Sequence, residues 1–181
     1  MSQPPLEAAK NLFIRRWGEM GASWGISRTM AEIHALLYLA SAPLCTDDVM
    51  DQLEVSRGNV SMNLRQLVNW GLIHRVHQRG DRKEYFEAEQ DVWQMFGTIT
   101  RERRRREVEP ILETIDRCRS TIDREKAGLK GEDVQQARIY EERLDEMVRF
   151  FELMNKVFNL MTRVGPTGLK RMAGMLEKLV K

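Results

Sequence analysis

A mainly α-helical chain with a small β-hairpin wing is the fold class predicted here: a winged helix-turn-helix domain plus a long α-helical region. Three observations carry that expectation. Residues 46–88 read as helix, tight turn, second helix and hairpin. The hairpin tip, QRGDRK at 78–83, carries three cations and a turn glycine. From Asp91 onward the apolar spacing turns helical and stays so.

In chain order, Pro4 and Pro5 suit a first helical turn, and Leu6, Ala9, Phe13 and Met20 share a face that Leu12 and Trp17 widen. Glycines 18, 21 and 25 are expected to loosen the end of this helix. Ser27 caps the next helix, whose Met30, Ile33, Leu36, Leu37 and Ala40 are apolar and which Pro43 ends. Leu44-Cys45 suits a short third strand. Thr46 then caps a helix with Asp47 and Asp48 in its first turn, where the helix dipole favours acids. Val55-Ser56 makes the turn, Ser56 caps the second helix, and Gly71 suits the left-handed position after its last turn.

Val60, Leu64, Leu67 and Val68 form the apolar stripe of that second helix. Its opposite face offers Gly58, Asn59, Met62, Arg65, Gln66 and Asn69, flanked by Arg57, Ser61 and Asn63. Such a face has donors for base edges and phosphates and no carboxylate of its own, which a major-groove helix needs. An ordinary solvated face would use many of the same residues. The adjoining basic finger favours the DNA reading, because a wing beside a polar helix meets phosphates or the minor groove. The candidate DNA contacts are Ser56, Arg57, Asn59, Ser61, Met62, Asn63, Arg65 and Gln66 on the helix. On the wing they are Arg79, Asp81, Arg82 and Lys83.

The runs VSRGNVSMNLRQLVNWGLIHRV and RGDRKEYFEAEQDVW resemble the winged helix-turn-helix of the MarR superfamily of bacterial transcription regulators. They look most like its glycine-betaine-responsive, GbsR-like branch. The likeness is close from about Ser27 to Trp93 and is a general helical pattern outside that range. It implies a homodimer on a pseudo-palindromic site, Asp81 orienting a basic neighbour, and Arg82 reaching the DNA.

Charge argues by placement, since 29 Lys and Arg against 27 Asp and Glu leave a net +2. Acids gather at Asp47, Asp48, Asp51 and Glu54, ahead of the polar helix. Cys45 and Cys118 lack metal or disulfide spacing, and His34, His74 and His77 do not converge. No cofactor or metal is expected, and no catalytic constellation is present to defend an enzyme. No leader pattern or bilayer-length apolar run is visible, so a cytoplasmic, membrane-free location is expected.

In the second half, Asp91 caps a helix that Pro110 should kink near Val108-Glu109. The run RERRRRE at 101–107 reads as a solvated face with Glu102–Arg106 and Arg103–Glu107 pairs, an auxiliary phosphate site being the other use. Val108, Ile111, Ile115, Cys118 and Ile122 form a heptad seam, in which Cys118 reads as a small core residue and a redox role as the alternative. A longer seam holds Ala137, Tyr140, Leu144, Met147, Phe151, Met154, Phe158 and Met161. Beside it runs a second register of Phe150, Leu153, Val157, Leu160 and Val164. Gly165-Pro166 should end that helix, and a last one from Thr167 to Val180 carries Leu169, Met172, Leu176 and Leu179 on one face.

The expected division is a dimerising N-terminal helix (1–26), the winged domain (27–90), and a helical dimerisation and ligand-sensing region (91–181). Leu144, Met147, Phe151, Met154, Phe158 and Met161 are the expected dimer contacts. A small-molecule effector would sit between the winged domain and those helices. Trp17, Trp24, Trp93, Phe96 and Tyr140 are the aromatics that could cage a quaternary ammonium, although plain core packing is the preferred reading of them. The function expected is a homodimeric, sequence-specific regulator, read as a repressor, on double-stranded DNA. The alternative is a protein-interaction adaptor that reuses the winged helix.

Overall fold

The computed structural model describes residues 4–179, in two units, Met1–Thr98 and Ile99–Lys181. The first unit contains α1 (Pro5–Ser23), α2 (Arg28–Leu39), β1 (Leu44–Cys45), α3 (Thr46–Leu53), α4 (Arg57–Trp70), β2 (Ile73–His77) and β3 (Glu84–Ala88). Helix α5 (Val92–Arg103) runs on from it.

The three strands form an antiparallel sheet of order β1-β3-β2, with Leu44 opposite Phe86 and Val76 opposite Tyr85. The expected third strand is therefore present. Phe86 and Ala88 point inward while Glu87 between them is exposed, the period-two pattern of a sheet with one covered face. Beneath it lies a core of Met30, Ile33, Leu36, Leu37, Val49, Val60, Leu64, Leu67 and Ile73, all at 2% exposure or less.

The caps mostly follow the local chemistry. Ser27 Oγ accepts from the Met30 amide, and Asp91 Oδ1 accepts from the amides of Trp93 and Gln94. Gly71 adopts φ 74°, with its own N–H and that of Leu72 closing onto the carbonyls of Val68 and Leu67. Two caps differ from expectation. Cys45, not Thr46, is the N-cap of α3, because the Asp48 carboxylate reaches back to the Cys45 amide at 2.8 Å. Ser56 holds the cap position of α4 without a side-chain hydrogen bond.

The face of α1 also needs correcting. Ile14, Gly18 and Gly21 are its buried residues, whereas Leu6, Ala9 and Leu12 are exposed. Gly18 and Gly21 lie inside the helix as close-approach points rather than loosening it. A Cβ on Gly21 would lie 2.6 Å from Ala31 Cβ, and one on Gly18 would lie 2.5 Å from Glu32 Cγ. Only Gly25, at φ 74°, ends the element. Gly21→Ala is therefore expected to lower stability by about 1–3 kcal/mol, because two backbone-anchored methyls cannot share that space. Chemical denaturation of wild type and variant would measure this, and equal midpoints would refute it.

In the second unit, a π-helical turn (Arg104–Val108) leads into α6 (Glu109–Glu125), a 3-10 turn (Lys126–Gly128) and α7 (Glu132–Leu179). The irregularity expected near Val108-Glu109 is this π turn. Pro110 has no N–H to donate and its ring crowds the carbonyl four residues back, so the helix widens just ahead of it. The antiparallel pairing of α6 and α7 is marked by Lys126–Glu141 at 2.7 Å and Arg119–Asp145 at 2.8 Å. Ile115 and Ala137 are buried in this hairpin. Cys118 is exposed, so its place in the expected α6 seam was wrong: the covered face turns through Ile115 and half-buried Leu112, Arg119 and Ile122.

Along α7, Leu144, Phe151, Met154, Phe158 and Met161 are half-buried within the chain itself. Tyr140, Met147, Phe150, Leu153, Val157 and Leu160 stay exposed. Gly165, at φ 61° and ψ −175°, breaks the helix as expected. The expected apolar face of Leu169, Met172, Leu176 and Leu179 lies outside the residues described at side-chain level, as does the Val180 terminus. No helix among the described residues is long and apolar enough to cross a membrane.

Candidate nucleic-acid interface

Helices α3 and α4 join through Glu54 in the left-handed region, at φ 55°, and through extended Ser56. This sharp exit presents the polar side of α4 outward. Ser56, Arg57, Gly58, Met62, Arg65 and Asn69 are exposed, while Asn59, Ser61 and Gln66 are half-buried. No acidic residue occurs between Arg57 and Trp70.

Asn63 is the exception among the expected contacts. It is 1% exposed, and its Nδ2 donates to the Asn59 carbonyl at 2.8 Å and to Asn59 Oδ1 at 2.7 Å. Buried behind the helix, it has no edge to offer a base. Its role is to hold the Asn59 side chain. Its own Oδ1 is left without a partner, a cost typical of a buried amide that serves a neighbour.

Gly80 at φ 91° and a bond from the Asp81 amide to the Gln78 carbonyl build the wing tip. Asp81 then fixes it. Its Oδ1 accepts from the Lys83 amide at 3.0 Å and its Oδ2 from the Tyr85 hydroxyl at 2.7 Å. Those bonds, the Lys83 amide first, hold the Asp81 carboxyl below the usual range, and its hydrogen bond raises the Tyr85 phenol. Asp81 thus holds the backbone of a basic neighbour, Lys83, together with the Tyr85 phenol. Arg79, Arg82 and Lys83 stand exposed around it.

A contact that sequence reasoning missed links the two halves of this surface. Asp47, in the first turn of α3, takes the Arg57 guanidinium on Oδ1 and the Lys83 ammonium on Oδ2, the latter at 3.1 Å. The Lys83 hydrogen bond, followed by that of Arg57, holds the Asp47 carboxyl below its ordinary range. Reciprocally, Asp47 raises Lys83. Arg65, Arg79 and Arg82 have no acidic partner among the described residues.

The other candidate groups are dispersed. Trp17 stacks on Phe13 at 5.5 Å and lies 6.1 Å from His34, whereas Trp93 meets Phe96 edge-on at 6.4 Å. Trp24 is exposed at the end of α1, and Tyr140 belongs to the other unit. In the arginine run, Arg103 pairs with Glu107 as expected. Glu102 takes Arg105 at i+3, and Arg104 reaches Glu109, each in or beside the widened π turn. Much of that run is therefore neutralised locally. Among the described residues, no three His, Cys, Asp or Glu side chains gather to hold a metal ion.

Two short helices meeting at a tight turn, followed by a basic hairpin on the same sheet, define a winged helix-turn-helix domain. Residues 24–84 match the profile described as "MarR family". Over 102 residues the chain is 26% identical to YvaV of Bacillus subtilis (strain 168), an HTH-type transcriptional regulator by name, covering 55% of this chain and 58% of that one. Over 119 residues it is 23% identical to the "HTH-type transcriptional repressor GbsR" of the same organism, covering 66% of each. The matched part thus spans less than two thirds of either relative. A solved structure described as that of a transcriptional regulator shares the fold at TM-score 0.52 and 20% identity, over 83% of this chain and 96% of that one.

Proposed function

We propose that the protein is a sequence-specific regulator of transcription that binds double-stranded DNA as a homodimer on a pseudo-palindromic operator. The observation that carries this reading is the set Arg65, Arg79 and Arg82: three exposed cations on α4 and the wing, none with an acidic partner among the described residues. Unpaired guanidinium groups on a groove-sized helix and a finger are suited to base edges and phosphates. The similarity of the chain to named regulators supports the same reading, and GbsR being called a repressor favours repression. A response to a small effector, as in the glycine-betaine branch, is the finer extension.

Selection of bound genomic fragments would supply the operator. On that operator, Arg65→Ala is expected to cost about 1–3 kcal/mol and to relax sequence preference. Arg82→Ala should weaken binding to most sequences and reduce the salt slope by about 1. Gel-shift titrations at several salt concentrations measure both. Unchanged binding in the two variants would remove the assignment.

A further inference from the structure

Two of the five cations that the sequence places on the DNA-facing surface do not point freely at solvent. Arg57 of α4 and Lys83 of the wing are held on the two oxygens of one carboxylate, Asp47. The three residues are far apart in sequence and come from three elements, α3, α4 and the hairpin. Each member is exposed, with side chains at 63% for Arg57, 38% for Asp47 and 54% for Lys83. Pairs this exposed contribute little to folding stability, so holding the fold together is a weak reason for the arrangement. Its electrostatic consequence is larger. One carboxylate reduces two positive charges to a net one where a phosphate would meet them.

We infer that Asp47 is an electrostatic brake for DNA binding: it withholds Arg57 and Lys83 from phosphates, so that engagement exchanges one carboxylate for phosphate oxygens. The inference rests on the DNA-binding reading above. It differs from the readout proposed for Arg65 and Arg82, because removing Asp47 should strengthen binding rather than weaken it. The gain should not depend on sequence, since phosphates carry no sequence information.

The test uses the full chain and a mixed-sequence DNA duplex, titrated at several salt concentrations. Asp47→Asn keeps the size and a carbonyl acceptor while removing the charge. It is expected to raise affinity about three- to tenfold and to steepen the salt slope by about 1, one more phosphate neutralised. Asp47→Glu, which restores the charge, should return both values towards wild type. In an Arg57→Ala/Lys83→Ala background, Asp47→Asn should gain less than about twofold, because the cations it released are gone. A merely structural Asp47 would instead lower affinity and the melting temperature together. Affinity that is unchanged or lower in Asp47→Asn, with wild type binding in a salt-dependent way, overturns the inference. If wild type itself shows no salt-dependent binding to the duplex, the DNA-binding reading fails first and takes this inference with it.

Discussion

Lowering the pH from 7 to 4 is expected to remove about 3 kcal/mol of stability from the winged unit through the single imidazole of His34. His34 lies on α2 at 3% exposure, 6.1 Å from the Trp17 ring and 6.3 Å from the Tyr38 ring, and its Nε2 has no hydrogen-bond partner. Burial pushes its pKa from 6.5 down to about 4, because an imidazolium there would lose its hydration with nothing in return. The sign follows from proton counting. Below pH 6.5 the unfolded chain binds a proton at this site, whereas the folded chain does not until about pH 4. Stability is therefore fully present above 6.5, falls as the pH drops through that window, and levels off below it. A displacement of roughly 2.5 units at 1.36 kcal/mol each gives the magnitude. Carboxylates titrate in the same range, so the informative quantity is the difference between wild type and His34→Phe. That variant should lose the histidine's share of the slope and gain about 1–2 kcal/mol at neutral pH, since it buries no unpaired nitrogen. Urea titrations across the window would give the difference, and parallel curves for the two proteins would exclude His34 as the source.

The order of elements in the winged unit was legible in the sequence because local chemistry dictates it. Ser27, Gly71 and Asp91 act on backbone groups within two to five residues, and the alternation around Phe86 needs only the neighbouring strand. Asn63 shows where reading by residue type goes astray. Val60, Asn63, Leu67 and Trp70 are spaced 3, 4, 3 and form one buried stripe, so the period places Asn63 inside. Its polarity drew it into the expected readout set, and geometry prevailed. Gly18 and Gly21 are a comparable case. Glycine signals freedom in a lone helix, but two of them three residues apart on one face also let a second helix approach.

Asp47 was out of reach for a different reason. Nothing in the sequence couples residues 47, 57 and 83, because their meeting depends on the angle of the helix turn and the reach of the wing. Acids at 47 and 48 were read as dipole partners of their own helix, which accounts for Asp48 at the Cys45 amide but not for Asp47. The same limit applies to α7. Period alone yields two adjacent registers and cannot say which one α6 covers. Ion pairs at Lys126–Glu141 and Arg119–Asp145 fix the hairpin so that the first register is mostly half-buried and the second is left in solvent.

That exposed register leads to a prediction with a large effect on assembly. Phe150 at 57% and Leu153 at 60% exposure continue with Val157 and Leu160 as an apolar stripe, flanked by Met147. Contiguous apolar surface of this kind mark interfaces in otherwise polar proteins. In the proposed homodimer a two-fold axis would use each residue twice. Burying a Phe or Leu is worth about 1.5–3 kcal/mol, so four such side chains contribute at least about 6 kcal/mol, or about four decades in dissociation constant. Phe150→Glu with Leu153→Glu removes that contribution and places carboxylates in a closed seam, where each must be desolvated or protonated. The double variant is expected to sediment as a monomer at concentrations where wild type is a dimer. Its operator affinity should fall with it, because one winged unit then reads one half-site. Thermal unfolding of the winged unit should be unaffected, since neither residue belongs to its core, and this separates lost assembly from lost folding. An intact dimer in the double variant would move the interface away from this stripe, with α1, where Leu6 and Leu12 are also exposed, the next surface to test.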